Sequence, residues 1–174
     1  MEWSKLIGAF FDKEEQAGEH LDKAVEKVEV AKKAIEGKDK PKIAWASISK
    51  GTVYVPRTDS YVAKMIEMAG GEYLFDVPGT GNEKVSLESF YEMAQEADLF
   101  MYASTTAYSP DLQSVLEKGP ILEKLPVIQS GNIWAFHPDY YQSIDKTDEL
   151  IIDLMEIFNP GSTEEEVKHY VRLQ

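Results

Sequence analysis

Tyr54, Tyr61, Tyr108, Tyr140 and Tyr141 all fall at expected strand ends or just before expected helices, beside the polar run Arg57-Thr58-Asp59-Ser60. An aromatic ring with a polar tip gives a flat or bulky ligand broad contact at low entropy cost, so these positions suit a binding edge. The same rings can also close the end of a core, and residue type alone leaves both roles open. Catalytic patterns are sparser. The histidines His20, His137 and His169 lack the i, i+4 spacing of a metal-binding helix. His137 with Asp139 is the one pair in a loop at a strand end where α/β proteins place ligand groups, and a metal there is the rival reading. Gly79-Thr80-Gly81-Asn82 superficially resembles a phosphate loop but lacks its further glycine or lysine, so a plain turn is expected. No Gly-x-Ser-x-Gly elbow occurs, and Ser60 and Ser104 have no evident histidine partner. Glu88 sits in the first turn of an expected helix, where the macrodipole stabilises a carboxylate whatever else it does. No residue set compels an enzyme, and no cofactor is expected.

Composition narrows the partners. With 18 Lys and Arg against 31 Asp and Glu, the formal charge is −13, which disfavours nucleic acid and anionic membranes. The absence of cysteine removes thiol catalysis, thiolate zinc sites and disulfides together, and leaves the redox compartment open. A chain of 174 residues, 43% hydrophobic, can fill one core. The first residues carry neither a basic region nor an apolar stretch suited to a signal peptide, and no apolar run approaches the roughly 20 residues of a membrane span.

The elements that must position these side chains follow from periodicity. From Asp12 to Glu36, Leu21, Val25, Val28 and Ile35 trace one face of a long helix that Gly37 ends. Beyond Lys42, short apolar runs alternate with amphipathic helices, which predicts α/β layering. Strands are expected at Ile43–Ala46, Thr52–Val55, Tyr73–Phe75, Leu99–Tyr102, Val127–Gln129 and Ile133–Phe136. Helices are expected at 59–69, 86–97, after a Ser109-Pro110 cap, 147–158 and 163–171. Charges at Asp148-Glu149 and Glu164-Glu165-Glu166 read as solvated helix starts. The fold class is thus a three-layer α/β/α lobe with a mainly parallel central sheet, preceded by one long helix.

Several ordered stretches resemble one family. Gly51-Thr52-Val53-Tyr54-Val55, Asp59-Ser60-Tyr61-Val62-Ala63-Lys64-Met65-Ile66-Glu67-Met68-Ala69-Gly70-Gly71, Val85-Ser86-Leu87-Glu88, Ala97-Asp98-Leu99-Phe100 and Pro126 through Trp134 are similar to the substrate-binding proteins that feed ABC importers of ferric siderophores, haem and vitamin B12. The resemblance covers residues 42–160 in the family's order and spacing. It implies two α/β lobes joined by a rigid helix with ligand between them. Residues 1–40 would then be an N-terminal segment and inter-lobe helix, and 41–174 the C-terminal ligand-binding lobe. A complete member would carry another lobe before Trp3 and an export or lipoprotein signal, so this chain is expected to be an excised piece or a natural half-length protein.

Carried over by position, the resemblance implies that Asn82 and Asp139-Tyr140-Tyr141 contact ligand, that Arg57, Ser60 and Tyr61 edge the cleft, and that Glu88 docks on a basic residue of the membrane permease; Tyr108, from the loop aromatics, joins the expected ligand-binding set. Asn82 stands where some members carry a large aromatic residue. The partners implied are an iron chelate or corrinoid, an ABC permease and a missing N-terminal lobe. The implied location is extracytoplasmic, in a periplasm or on a lipoprotein anchor. The alternatives are a metal-binding lobe of an enzyme or metallochaperone, and a standalone half-length interaction domain. Trp3, Leu6, Ile7, Phe10 and Phe11 form an apolar group that removal of a partner lobe would uncover.

Overall fold

A computed structural model describes residues 2–143, 145–163 and 166–174, with the side chains of residues 2–5 outside the described set. A short helix, α1 (Glu2–Phe10), folds back on the long α2 (Glu14–Ile35). Gly8 allows the close approach, because a Cβ there would lie 2.9 Å from the Ala17 Cβ. The face α2 buries is rotated from the expected one: Ala24 and Val28 are buried with Ala31 and Ile35 packed beside them, while Val25 is 46% exposed. Alanine at positions 24 and 31 lets the helix lie close to its neighbour, and hydropathy alone does not register that advantage.

The chain then enters the sheet with β1 (Lys42–Ser49) and turns through Lys50-Gly51 into β2 (Thr52–Pro56). Helix α3 (Tyr61–Met68) starts where the Ser60 hydroxyl accepts from the Ala63 amide at 3.2 Å. The expected strand at Tyr73–Phe75 is reduced to β3 (Glu72–Tyr73), because Phe75 turns into the core and stacks edge-on with Tyr73 at 5.4 Å. Part of the glycine turn becomes strand: β4 (Asn82–Ser86) pairs antiparallel with β2, its side chains alternating exposed and half-buried. Such a short, polar edge strand carries little hydrophobic signal.

Ser86 caps α4 (Leu87–Met93) as expected, and Phe90 is buried with Val85 packed against the same cluster. Strand β5 (Leu99–Thr105) follows. The Ser109-Pro110 cap is corrected: Asp111 caps α5 (Leu112–Leu116), accepting from the Ser114 amide at 2.8 Å, while Ser109 accepts from Lys118 Nζ at 2.7 Å. Val127–Gln129 is also corrected, from strand to the one-turn helix α6 (Pro126–Gln129), whose first-position proline has no amide to pair in a ladder. Strand β6 (Ile133–Phe136) and helix α7 (Thr147–Phe158) stand where expected. The helix expected at 163–171 is not formed among the described residues there. Tyr170–Arg172 instead makes β7, antiparallel to β6, and Glu164 and Glu165 lie outside the described residues.

The sheet runs β4-β2-β1-β5-β6-β7, with β3 beside the start of β1. Its centre is parallel, β3 and β5 flanking β1 and β6 following β5, and both edges are antiparallel. Alternation splits the core. Ala44, Ala46, Val53, Val55, Phe100 and Tyr102 face α4, α5 and α6, whereas Ile43, Trp45, Leu99 and Met101 face α2, α3 and α7. This is a three-layer α/β/α arrangement. Among the described residues no helix is long and apolar enough to cross a membrane.

Candidate functional site

On the α3/α7 side of the sheet, the carboxyl halves of the parallel strands stop being covered by helix. Side chains at this rim leave a cleft of about 260 Å3. Alternation along β1 sends Trp45 and Ser47 to this face, and the antiparallel register sets Tyr54 opposite Ser47 and Asn82 opposite Pro56. Ala103 of β5 and Phe136 of β6 continue the floor, while Tyr61 and Val62 from α3 and Leu150 from α7 stand at the sides. A 3₁₀ turn, Tyr140–Ser143, closes the cleft with Tyr140 and Tyr141.

The turn is built locally. Ser143 Oγ donates to the Asp139 carbonyl at 3.1 Å, the Gln142 amide donates to the same carbonyl at 3.0 Å, and the Asp139 amide donates to His137 Nδ1 at 3.3 Å. Tyr140 then stacks on Phe136, centroids 3.9 Å apart and planes 10° from parallel. Burial pushes the Tyr140 phenol up to about 12. Behind it Tyr170 packs against Phe136 and Tyr140 at 6.0 and 5.5 Å. Trp45 lies 5.7 Å from Phe136, so the wall is a continuous aromatic surface.

Its electrostatics are plain: none of the described residues lining the cleft is charged, and its polar groups are the tyrosine hydroxyls, the Trp45 indole N–H, Ser47 and Asn82. An uncharged aromatic wall can bind by apolar contact, stacking and a few hydrogen bonds. Tyr73 supports it from outside, its phenol donating to the Pro56 carbonyl at 2.6 Å, and burial raises that phenol well above the ordinary range.

Of the residues singled out in the sequence, Tyr61, Asn82, Tyr140 and Tyr141 meet in this cleft, as does Tyr54. Arg57 is held by an ion pair to Glu83 and donates to the Pro78 carbonyl at 3.2 Å. Ser60 is buried as the α3 cap. The Asp139 carboxylate is exposed, and its backbone organises the tyrosine turn. Tyr108 is 81% exposed in the loop after β5 and is outside the lining. Glu88 is exposed on α4, just past the far end of the strand that begins at Asn82. His137 Nδ1 lies 3.7 Å from the Asp139 carboxylate, and the described residues bring no three His, Asp or Glu together in a metal-holding group.

Sequence reasoning missed Trp45, Ser47, Pro56, Val62, Ala103, Phe136 and Leu150. For Trp45, Ser47 and Ala103 a signal exists: each sits on a parallel strand in the alternation class opposite Ala44 and Ala46, near the carboxyl end where α/β sheets bind ligands.

Comparison with known proteins bears on the fold and the family. An uncharacterized lipoprotein of Methanocaldococcus jannaschii is 33% identical over 172 residues, covering 97% of this chain and 41% of that protein. Among solved structures, an ABC transporter substrate-binding protein from Listeria monocytogenes superposes with a TM-score of 0.75 at 15% identity, over 91% of this chain and 62% of that one. IsdE of Staphylococcus aureus, solved in complex with heme, gives 0.71 at 17% identity, over 91% of this chain and 63% of its own. The chain therefore spans less than two thirds of the length of each. The family model described as periplasmic binding protein matches residues 1–140, and on that match the chain belongs to the periplasmic binding protein family.

Proposed function

We propose that this chain is the C-terminal lobe of an extracytoplasmic solute-binding protein, and that its aromatic cleft is one wall of the site that captures an iron complex (a siderophore or haem) or a corrinoid for an ABC permease. The observation that carries this reading is the convergence of Tyr61, Asn82, Tyr140 and Tyr141, chosen from sequence, on one uncharged cleft at the carboxyl rim of the parallel strands. The heme complex of IsdE and the Listeria neighbour, an ABC transporter substrate-binding protein, support the ligand and permease classes. The lipoprotein relative supports an anchored, extracytoplasmic location.

In this reading residues 1–40 hold the inter-lobe helix and residues 41–174 the binding lobe. Leu6, Ile7, Phe10 and Phe11, 50–79% exposed on and just after α1, form the surface against which the companion lobe rests. Trp3 lies outside the described side chains. Glu88 is the permease contact. Because α2 is one continuous 22-residue helix, closure over the ligand is a small displacement.

Trp45 in the cleft floor provides the assay. Titration of the chain with ferric haem, a ferric hydroxamate, a ferric catecholate and cobalamin should quench tryptophan fluorescence for one class, and Tyr140→Ala should weaken that ligand by about tenfold, the scale of one lost aromatic contact. Saturable binding that Tyr61→Ala and Tyr140→Ala both leave untouched would place the ligand elsewhere and defeat the proposal.

A further inference from the structure

Behind the aromatic wall lies a buried polar node. His169 is 7% exposed and Asp153, on α7, 4%. One carboxylate oxygen of Asp153 receives the Lys168 amide at 3.0 Å, the His169 amide at 2.7 Å and the His169 Nδ1 at 2.9 Å. On the other side of the ring, His169 Nε2 lies 3.7 Å from Glu149 Oε2. Glu149 and Asp153 are four residues apart on α7, so consecutive turns of one helix face hold both edges of the imidazole. Buried carboxylates and imidazoles persist only when so paired, and the cost of losing one partner falls on the other.

Three parts of the cleft meet at this node. Helix α7 carries Leu150, a lining residue, directly after Glu149. The residue after His169 is Tyr170, whose ring packs behind Phe136 and Tyr140. The His169 carbonyl accepts from the His137 amide at 2.9 Å, and His137 in turn accepts the Tyr140 amide on its carbonyl at 3.0 Å. Helix, edge strand and tyrosine turn are therefore tied through the imidazole–carboxylate pair and the backbone of residue 169.

We infer that Asp153 and His169 are positioning residues for the ligand wall: through Tyr170 and His137 they set the placement of Tyr140 against Phe136, and with it the shape of the cleft. The inference rests on the reading of that cleft as the ligand site. Neither residue lines the cleft. Its effect passes through the rings in front of it, and it specifies a geometry: a donor at the Nδ1 position of residue 169.

That geometry gives the test. Asparagine places its amide nitrogen near the Nδ1 position, whereas glutamine reaches toward Nε2. The neutral fluorescent aromatic N-phenyl-1-naphthylamine serves as probe on the full 174-residue chain, well below the melting temperature of every variant. Expected are a loss of about tenfold in probe affinity for His169→Ala and His169→Gln, and recovery to within about twofold of wild type for His169→Asn. Val115→Ala, in the core layer on the opposite face of the sheet, serves as a stability control that lowers the melting temperature while leaving probe affinity unchanged. The inference is overturned if glutamine rescues as well as asparagine, if His169→Ala binds like wild type, or if Val115→Ala weakens the probe as much as His169→Ala does. Should wild type fail to bind the probe, or Tyr140→Ala have no effect on it, the cleft reading itself falls and this inference with it. A loss in Tyr140→Ala without a loss in His169→Ala overturns the positioning role alone.

Discussion

Tyr140 carries more of the candidate site than any other single side chain, because it stacks on Phe136, closes the cleft and is braced by Tyr170. Its phenol also reports on folding. Burial raises it from the ordinary 10.0 to about 12 in the folded chain, so through that interval the folded state keeps a proton that the unfolded state has lost. Where the unfolded chain binds fewer protons, stability falls with pH; this contribution is thus fully present below the unfolded value and is lost as pH rises through the folded one. Urea unfolding followed between those limits should show a steep decline that Tyr140→Phe makes shallower, since Tyr73 and Tyr170, also raised by burial, continue to contribute. An identical slope in the variant would mean that the ring is solvated in the folded protein. Tyr140 and Tyr61 were legible in the sequence because tyrosine in a loop is unusual enough to notice. Trp45 and Phe136 were not, because an aromatic residue inside an apolar run reads as core; both are in fact buried, and they back the cleft only because the sheet rim beside them is uncovered.

Elements were legible in proportion to their length and period. Helix α7, with nearly every residue from Leu150 to Phe158 buried, and the central strand β5 were placed from hydropathy alone. The short edges failed. β7 and α6 are three and four residues long, too short for periodicity to separate strand from helix, so pairing partners and a first-position proline decided them. Helix α2 was found but turned, since small residues at the contact outweighed larger apolar ones. The same closeness governs the junction after α3. A Cβ at Gly71 would stand 2.8 Å from both Ile43 Cγ1 and a Phe158 ring carbon, with Ile66 at 3.0 Å, so helix, strand and α7 all converge on a bare backbone. Gly71→Ala should cost about 1–3 kcal/mol, as overpacking does, seen as a lower urea midpoint at unchanged slope. If stability is unaffected, the three elements are less tightly packed than these distances state.

At the scale of the molecule, the proposed function assigns capture and delivery to separate surfaces of this chain. Asn82 begins β4 and Glu88 lies just beyond its end, so the strand's five residues, at about 3.4 Å each, hold the cleft and the Glu88 carboxylate well over ten ångströms apart. Beyond about a Debye length in physiological salt, roughly 8 Å, an exposed charge at one end has little influence on the other. Among the described residues the cleft has no charged lining through which such an influence could act. Glu88 is exposed and sits in the first turn of α4, where its replacement by arginine places a cation at the wrong end of a helix dipole; for an exposed residue that penalty is of order 0.3–1 kcal/mol, far too small to unfold the lobe. In a complete, membrane-assembled transporter, Glu88→Arg should therefore reduce uptake by about tenfold or more through lost and reversed charge complementarity at the permease, while ligand affinity measured by tryptophan quenching stays within about twofold of wild type. A compensating charge reversal on the permease should restore uptake. Parallel loss of uptake and affinity would show that Glu88 belongs to the ligand site or to the fold, and unchanged uptake would remove it from the docking surface.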